Sequence, residues 1–181
     1  ILFLPLIAGC VPMFAIGTAA GTGVYISEDR RTSGIFIEDE AIELKSARRI
    51  NQQLGDQVHI NVTSFNRNVL LTGEAPTATM KADAEKLVMS VDNVRKIFNE
   101  IAVAGNTSLA TRSNDSLITS KVKGRFLSAR KFQINHIKIV TENSIVYLMG
   151  MVTRQEADSA AEIASSTSGV ARVVKVFEYL N

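Results

Sequence analysis

Three groups of residues have types and spacings that could do chemistry. The first is Cys10, the only cysteine in 181 residues, placed directly behind the uncharged apolar run 1–9. A lone thiol cannot close an intramolecular disulfide or build a cysteine-rich metal site. It is left either as a nucleophile able to carry a covalent group or as an ordinary buried side chain. The second group is the stretch 116–131, which carries Lys121, Lys123, Arg125, Arg130 and Lys131 and no acid. Cations gathered on one segment without counter-charges suit an anionic surface, although the bland reading of such a run is a solvated helix face. The third group is His59 and His136, one in each half of the chain. No H-E-x-x-H, G-x-S-x-G elbow or P-loop accompanies them, and GTAAGTG at 17–23 lacks the Lys and the preceding strand of a phosphate loop. The expectation is a protein with no catalysis, no metal and no cofactor.

Composition narrows the partners. A formal charge of +2 does not suggest a nucleic-acid binder, and 6% aromatics with no Trp provides no stacking platform for single strands. The 46% hydrophobic content is that of a globular chain.

The elements that must position these residues come as an internal repeat. His59 meets His136 at a spacing of 77, and the same register pairs Ile60 with Ile137, Val62 with Ile139, and Gly73 with Gly150. Each unit reads α-β-β-α-β. Its first helix spans 39–54 in one copy and 115–130 in the other, the second with Asn114, Asp115 and Ser116 as N-cap chemistry. Two strands of alternating apolar residues follow, the second over 69–74 and 145–152, with SFNRN and TENS as the turns between them. The second helices are 77–91 and 154–168, and the third strands 94–103 and 170–180. The expected fold is α+β, with two helices on one face of a small three-stranded mixed sheet in each unit. Gly73 and Gly150 lie inside their second strands, where a repeated glycine points to close backbone approach. Both histidines are expected to face away from the core, as relics of the repeat or as solvent-facing residues.

The segment 1–9 has the shape of a signal-peptide apolar region ending in small residues, without its basic start. Ile7-Ala8-Gly9-Cys10 resembles the lipobox of bacterial lipoproteins, in which the Cys becomes the acylated first residue. A transmembrane helix over 1–26 is a poor alternative because Pro5, Pro12 and several glycines interrupt it. The domain plan is a leader remnant at 1–9, a lipidated Cys and tether at 10–37, one domain at 38–104, a linker at 105–112, and a second domain at 113–181.

The order of elements, the V-x-L-x-G strand at Val69–Gly73 with its counterpart Ile145–Gly150, and the following helices resemble the BON domain. Two such units behind a lipobox Cys are similar to the dual-BON outer-membrane lipoproteins of the DolP (YraP) family. The resemblance implies a periplasm-facing outer-membrane lipoprotein that maintains envelope integrity and gathers at division sites. It further implies contact with anionic phospholipid, chiefly phosphatidylglycerol, through the first helix of the second unit, and a connection with the outer-membrane protein assembly machinery. Val11 stands where an Asp would imply inner-membrane retention. Family members carry an aromatic residue where this chain has Leu117, so weaker lipid affinity is expected here.

The residues themselves give that implication a charge argument. In 39–54, Asp39, Glu40 and Glu43 balance Lys45, Arg48 and Arg49, whereas 116–131 has only cations. Ile118, Val122, Phe126 and Ala129 form the core stripe of the second helix, and Leu117, Lys121, Gly124 and Ser128 form an adjacent outer ridge. The expected lipid contacts are Leu117, Ser120, Lys121, Lys123, Gly124, Arg125 and Ser128. The rival is a protein-interaction module gripping an assembly-machinery or peptidoglycan-linked partner, and a weaker third reading is an accessory subunit with a small-molecule pocket.

Overall fold

The computed structural model describes residues 29–105 and 108–180. Cys10, its lipobox and residues 11–28 of the expected tether lie outside them. The first repeat contains α1 (Ser33–Leu54), β1 (His59–Phe65), β2 (Asn68–Ala75), α2 (Ala78–Met89), β3 (Lys96–Asn99) and β4 (Ala102–Val103). The second contains α3 (Leu109–Ala129), β5 (Ile137–Glu142), β6 (Ile145–Val152), α4 (Arg154–Ser165) and β7 (Arg172–Tyr179). In each, the first two strands form an antiparallel hairpin and the third runs parallel to the second. That gives the mixed α+β sheet expected from the sequence.

Both leading helices begin about six residues earlier than their apolar spacing predicts. Thr32 caps α1 by accepting the Ile35 amide, and Ser108 caps α3 by accepting the Thr111 amide. A capping hydroxyl satisfies an amide with no partner inside the helix, so it fixes the start more firmly than hydrophobic pattern does. Asn114, Asp115 and Ser116 are therefore not an N-cap, and the linker and tether each give up residues to a helix. The third strand of the first repeat is broken. Asn99 bonds the Lys81 carbonyl and Glu85 while its side-chain oxygen accepts the Ile101 amide, leaving Ile101 to plug the core.

Asp115 has another role. Its carboxylate accepts the amides of Asn143 and Ser144, both at 2.8 Å, at the turn between β5 and β6. Asp39 does the same for Asn66 and Arg67, at 2.8 and 2.7 Å. All four turn residues have positive φ, as a two-residue hairpin of the tight primed type requires. A buried Asp on the leading helix thus pins the hairpin turn in each repeat.

The helices of each repeat cover one face of their sheet. Ile42 and Ile50 of α1 pack with Val69, Leu71, Ala84 and Val88, while Ile118, Val122 and Phe126 of α3 pack with Val146, Leu148, Ala160 and Ile163. The fully buried Phe126 ring, edge-on to Phe132 at 4.9 Å, contributes about 3 kcal/mol to this core. The other faces of the two sheets pack on each other. Phe65 and Leu70 meet Tyr147, Met149 and Val176 in a third apolar cluster. Lys138 to Glu43 (2.8 Å), Asn61 to Glu142 (2.9 Å) and Asn66 to Glu178 (2.8 Å) ring that seam. The layers therefore run helices, sheet, sheet, helices, and β6 is buried on both faces. That explains why Ile145–Val152 reads as an unbroken apolar run.

Gly73 and Gly150 lie opposite Ile60 and Ile137, at the starts of β1 and β5. A Cβ on Gly73 would sit 2.0 Å from the His59 carbonyl oxygen, and one on Gly150 would sit 2.3 Å from that of His136. Gly73 also has φ +106°, which a side chain rarely adopts.

Candidate functional site

The site is assembled on α3. Asp115, Ile118, Val122 and Phe126 turn inward, which fixes the helix rotation and leaves the opposite side to solvent. Leu117, Ser120, Lys121, Gly124 and Ser128 all lie on that exposed side. Leu117 is 61% exposed and Lys121 has no ion-pair partner among the described residues. The hydroxyls of Ser120 and Ser128 fold back onto the carbonyls of Ser116 and Gly124. This lowers the polarity of the ridge and keeps their oxygens close to the helix.

Sequence reasoning missed Leu127, which is 59% exposed on the same side. At 1.5 Å per residue it stands about 15 Å along the helix from Leu117. The spacing of ten residues was the available signal, since 117, 120, 124 and 127 share one side of a 3.6-residue helix. Two protruding leucines with Gly124 between them make an apolar strip interrupted by a flat step. An added Cβ at Gly124 would meet nothing within 4 Å, so no packing need explains a glycine there.

Two of the expected cations are not on this ridge. The Arg125 guanidinium bonds the Ile163 carbonyl at 3.0 Å and the Thr167 hydroxyl at 2.9 Å, tying α3 to the end of α4. Arg49 holds the equivalent place on α1, where it bonds Ser90 at the end of α2. The same residue in the same bond in both repeats marks a packing arginine. Lys123 turns towards a hollow of about 580 Å³ at the seam between repeats, shared with Asp29, Glu40, Glu43 and Lys138. Lys131 makes a loose, exposed pair with Glu162 at 3.8 Å, which adds little. At the end of α3, Leu127, Arg130 and Lys131 border a second hollow of about 710 Å³ floored by Phe132 and Ile134.

His136 lies in a short 3-10 turn before β5 and is buried, with Nδ1 3.4 Å from Glu156. The expectation that it faces solvent is wrong, because Glu156 in the first turn of α4 packs against its ring. His59 is half-buried at the rim of the seam. Glu156 accepts two bonds from Arg30 (2.7 and 2.9 Å) and the Thr153 amide. Burial alone would raise its pKa, but these partners bring it down to about 2. No group of His, Cys, Asp or Glu able to hold a metal occurs among the described residues, and none of their helices is long and apolar enough to cross a membrane.

The architecture defines a class: a duplicated α-β-β-α-β unit, joined sheet to sheet, with one basic and partly apolar helix turned outward. The BON domain matches residues 38–105 and again 114–181, and the chain belongs to the BON-domain family, among the outer-membrane lipoproteins of the DolP kind. It is 36% identical over 175 residues to the outer membrane lipoprotein DolP of Haemophilus influenzae, covering 96% of this chain and 90% of that one. It is 34% identical to the 21 kDa hemolysin of Actinobacillus pleuropneumoniae, over 84% and 79% of the two chains. The osmotically-inducible protein Y of Escherichia coli is 26% identical, over 86% and 80%.

Proposed function

We propose that the protein is held on the periplasmic side of the outer membrane by an acylated Cys10 and grips anionic phospholipid, phosphatidylglycerol foremost, through the outer ridge of α3. In this reading it supports outer-membrane integrity and gathers at division sites. The observation that carries the reading is the ridge itself: Leu117, Lys121 and Leu127 project from a helix with no acid between 116 and 131. Each Lys or Arg near an anionic bilayer contributes about 1 kcal/mol, so the helix alone binds weakly and with salt sensitivity. A lipid anchor on the same chain converts that weak contact into an effective one by raising local concentration.

Flotation with vesicles tests the reading. The chain from residue 10 onward is expected to float with phosphatidylglycerol vesicles and to stay behind with phosphatidylcholine alone. Lys121→Glu removes one attraction and adds one repulsion, so binding should fall about tenfold or more with melting unchanged. Leu117→Asp should act in the same direction. Equal flotation of parent and both variants would end the lipid reading. Mass spectrometry of the N-terminus from the native host tests the anchor, since an unmodified Cys10 thiol refutes it.

A second reading has its own support. Ile37 and Leu44, 67% and 53% exposed on α1, form an apolar face on the opposite side of the layered body. That face suits a protein partner, the outer-membrane assembly machinery being the one the family suggests, and would remain accessible while α3 meets lipid.

A further inference from the structure

β5 is an edge strand, with β6 on one side and no strand paired to the other among the described residues. In an antiparallel pair, successive residues turn their backbone polar groups alternately towards the partner and away from it. The Ile137 amide bonds the Ile134 carbonyl, so Ile137 faces away from β6, and Ile139 and Thr141 share its side. The two-residue turn at Asn143 and Ser144 gives the same phase, because the pair that closes such a turn, Glu142 with Ile145, is a bonded one. The Ile139 amide and carbonyl therefore point out of the sheet, and neither has a partner among the described residues.

The first repeat plugs the matching edge. Ser64 is the outward residue of β1 in the place of Thr141; Glu43 accepts its amide at 2.7 Å and Lys138 reaches its carbonyl at 3.4 Å. Thr119 stands where the first repeat has Glu43, and its hydroxyl is bonded to that of Thr141 at 2.7 Å, so it brings no carboxylate to the β5 edge. An unplugged edge is a template for another strand.

That edge opens into the hollow of about 580 Å³ at the seam, where Ile137, Lys138 and Ile139 form one wall. The volume falls in the range of roughly 300–1,000 Å³ common to ligand sites. The counterpart hollow between α3 and β1 has only about 260 Å³. Two charges at the larger hollow, Glu40 of α1 and Lys123 of α3, have no partner among the described residues. Its other charges are spent on each other, Glu43 on Lys138 and Arg31 on Asp29 and Asp39. The side chains of Ile137 and Ile139 join the core under α3, so that of Lys138 stands on the seam face, and α1 borders the hollow on that side through Glu43. Lys123 borders it from the face that α3 covers.

We propose that this hollow takes a short extended segment of a partner protein as an additional strand on β5. Main-chain bonds to Ile139 hold the segment, and its successive side chains point to opposite faces of the sheet. One face meets Glu40 and the other meets Lys123, so the segment carries a basic and an acidic residue an odd number of positions apart. Lys123 leaves α3 about 200° around the helix from Lys121, so the hollow is separate from the lipid-facing ridge.

Affinity selection tests the proposal, with the chain from residue 10 onward as bait and acetylated, amidated hexapeptides randomised at every position as probes. Retained peptides should show a base and an acid at odd spacing about fivefold or more above their frequency in the starting mixture. Glu40→Lys should abolish the preference for the base, and Lys123→Glu that for the acid; both side chains are exposed, so the fold is undisturbed. In the free chain the Ile139 amide should exchange faster than that of Lys138, and a retained peptide should slow it about tenfold or more. Failure to retain any peptide, retention without that charge pattern, a pattern indifferent to both reversals, or an Ile139 amide that no retained peptide slows overturns the proposal. So does slowing of Ile139 by phosphatidylglycerol vesicles and by no peptide, which would give the hollow to lipid.

Discussion

The two BON domains are one fold used twice, and each serves as a control for the other. Aligned by their buried aspartates, α1 and α3 match Ile42 with Ile118, Ser46 with Val122, Ile50 with Phe126 and Arg49 with Arg125. All but the arginines are buried, and the arginines make equivalent bonds to the next helix. The divergence is concentrated elsewhere. Glu40 and Glu43 of α1 become Ser116 and Thr119, Ala41 becomes Leu117, Arg48 becomes Gly124, and Asn51 becomes Leu127. Folding demands the first set in both copies. The second set changes charge and shape on one helix with no gain in packing, which is what a surface with a task of its own looks like.

The largest effect expected from breaking the comparison is at the strand glycines. Gly73→Val should cost about 4 kcal/mol, because it adds both a backbone clash and an unfavourable φ. Gly150→Val has the clash alone and should cost less, about 3 kcal/mol. Hydrogen exchange resolved by domain checks this. Protection should be lost first in β1 and β2 for one variant and in β5 and β6 for the other, and melting equal to the parent in both would refute the close-approach account.

An acid titration should sharpen the same contrast at the second helices. Thr77 caps α2 with Met80 at N3, whereas Thr153 caps α4 with Glu156 at N3, so only the second domain places a carboxylate there. Glu156 has an ordinary value of 4.5 and a folded value of about 2, and its charged form is the one the fold favours. Its contribution is therefore complete above pH 4.5 and disappears as pH falls towards 2. Screened by the nearby solvent, it contributes on the order of 1 kcal/mol. Melting followed from pH 5 to pH 2 should show a steeper loss in the parent than in Glu156→Gln, with α4 exchanging before α2. Parallel curves would mean that the ion pair with Arg30 contributes nothing.

How far the sequence disclosed these features depended on how local their causes are. The repeat, the hairpins and the α-β-β-α-β order were legible because strand alternation and helical spacing are short-range signals. The helix starts were not, since Thr32 and Ser108 lie before the apolar pattern begins and caps outweigh pattern at helix ends. The role of Asp39 and Asp115 was hidden for a different reason. Each bonds amides 27 to 29 residues away, although the recurrence of an Asp three residues before the first core-stripe isoleucine, Ile42 in one copy and Ile118 in the other, was there to be seen. Packing between the sheets had one clear sign, the unbroken apolar run of β6, which alternation-based reading treats as ordinary strand. Of the candidate site, the ridge at Leu117 and Lys121 followed from periodicity. The diversion of Arg125 to α4 and of Lys123 to the seam needed three-dimensional partners that no spacing reveals.

Gly124 offers the smallest and most discriminating prediction. A glycine inside a helix costs roughly 1 kcal/mol relative to alanine, and here an added methyl group has open space. Gly124→Ala should therefore raise stability by about 1 kcal/mol. Arg48, its counterpart on α1, has no such cost, so the penalty belongs to the second domain alone. A destabilising residue kept on an exposed ridge between Leu117 and Leu127 implies that closeness of the backbone to whatever lies above it matters more than helix stability. Thermal melting and vesicle flotation of the same variant separate these two influences: the melting temperature should rise while binding to phosphatidylglycerol vesicles falls. A rise in both would make Gly124 incidental and place the contact on the two leucines and Lys121 alone.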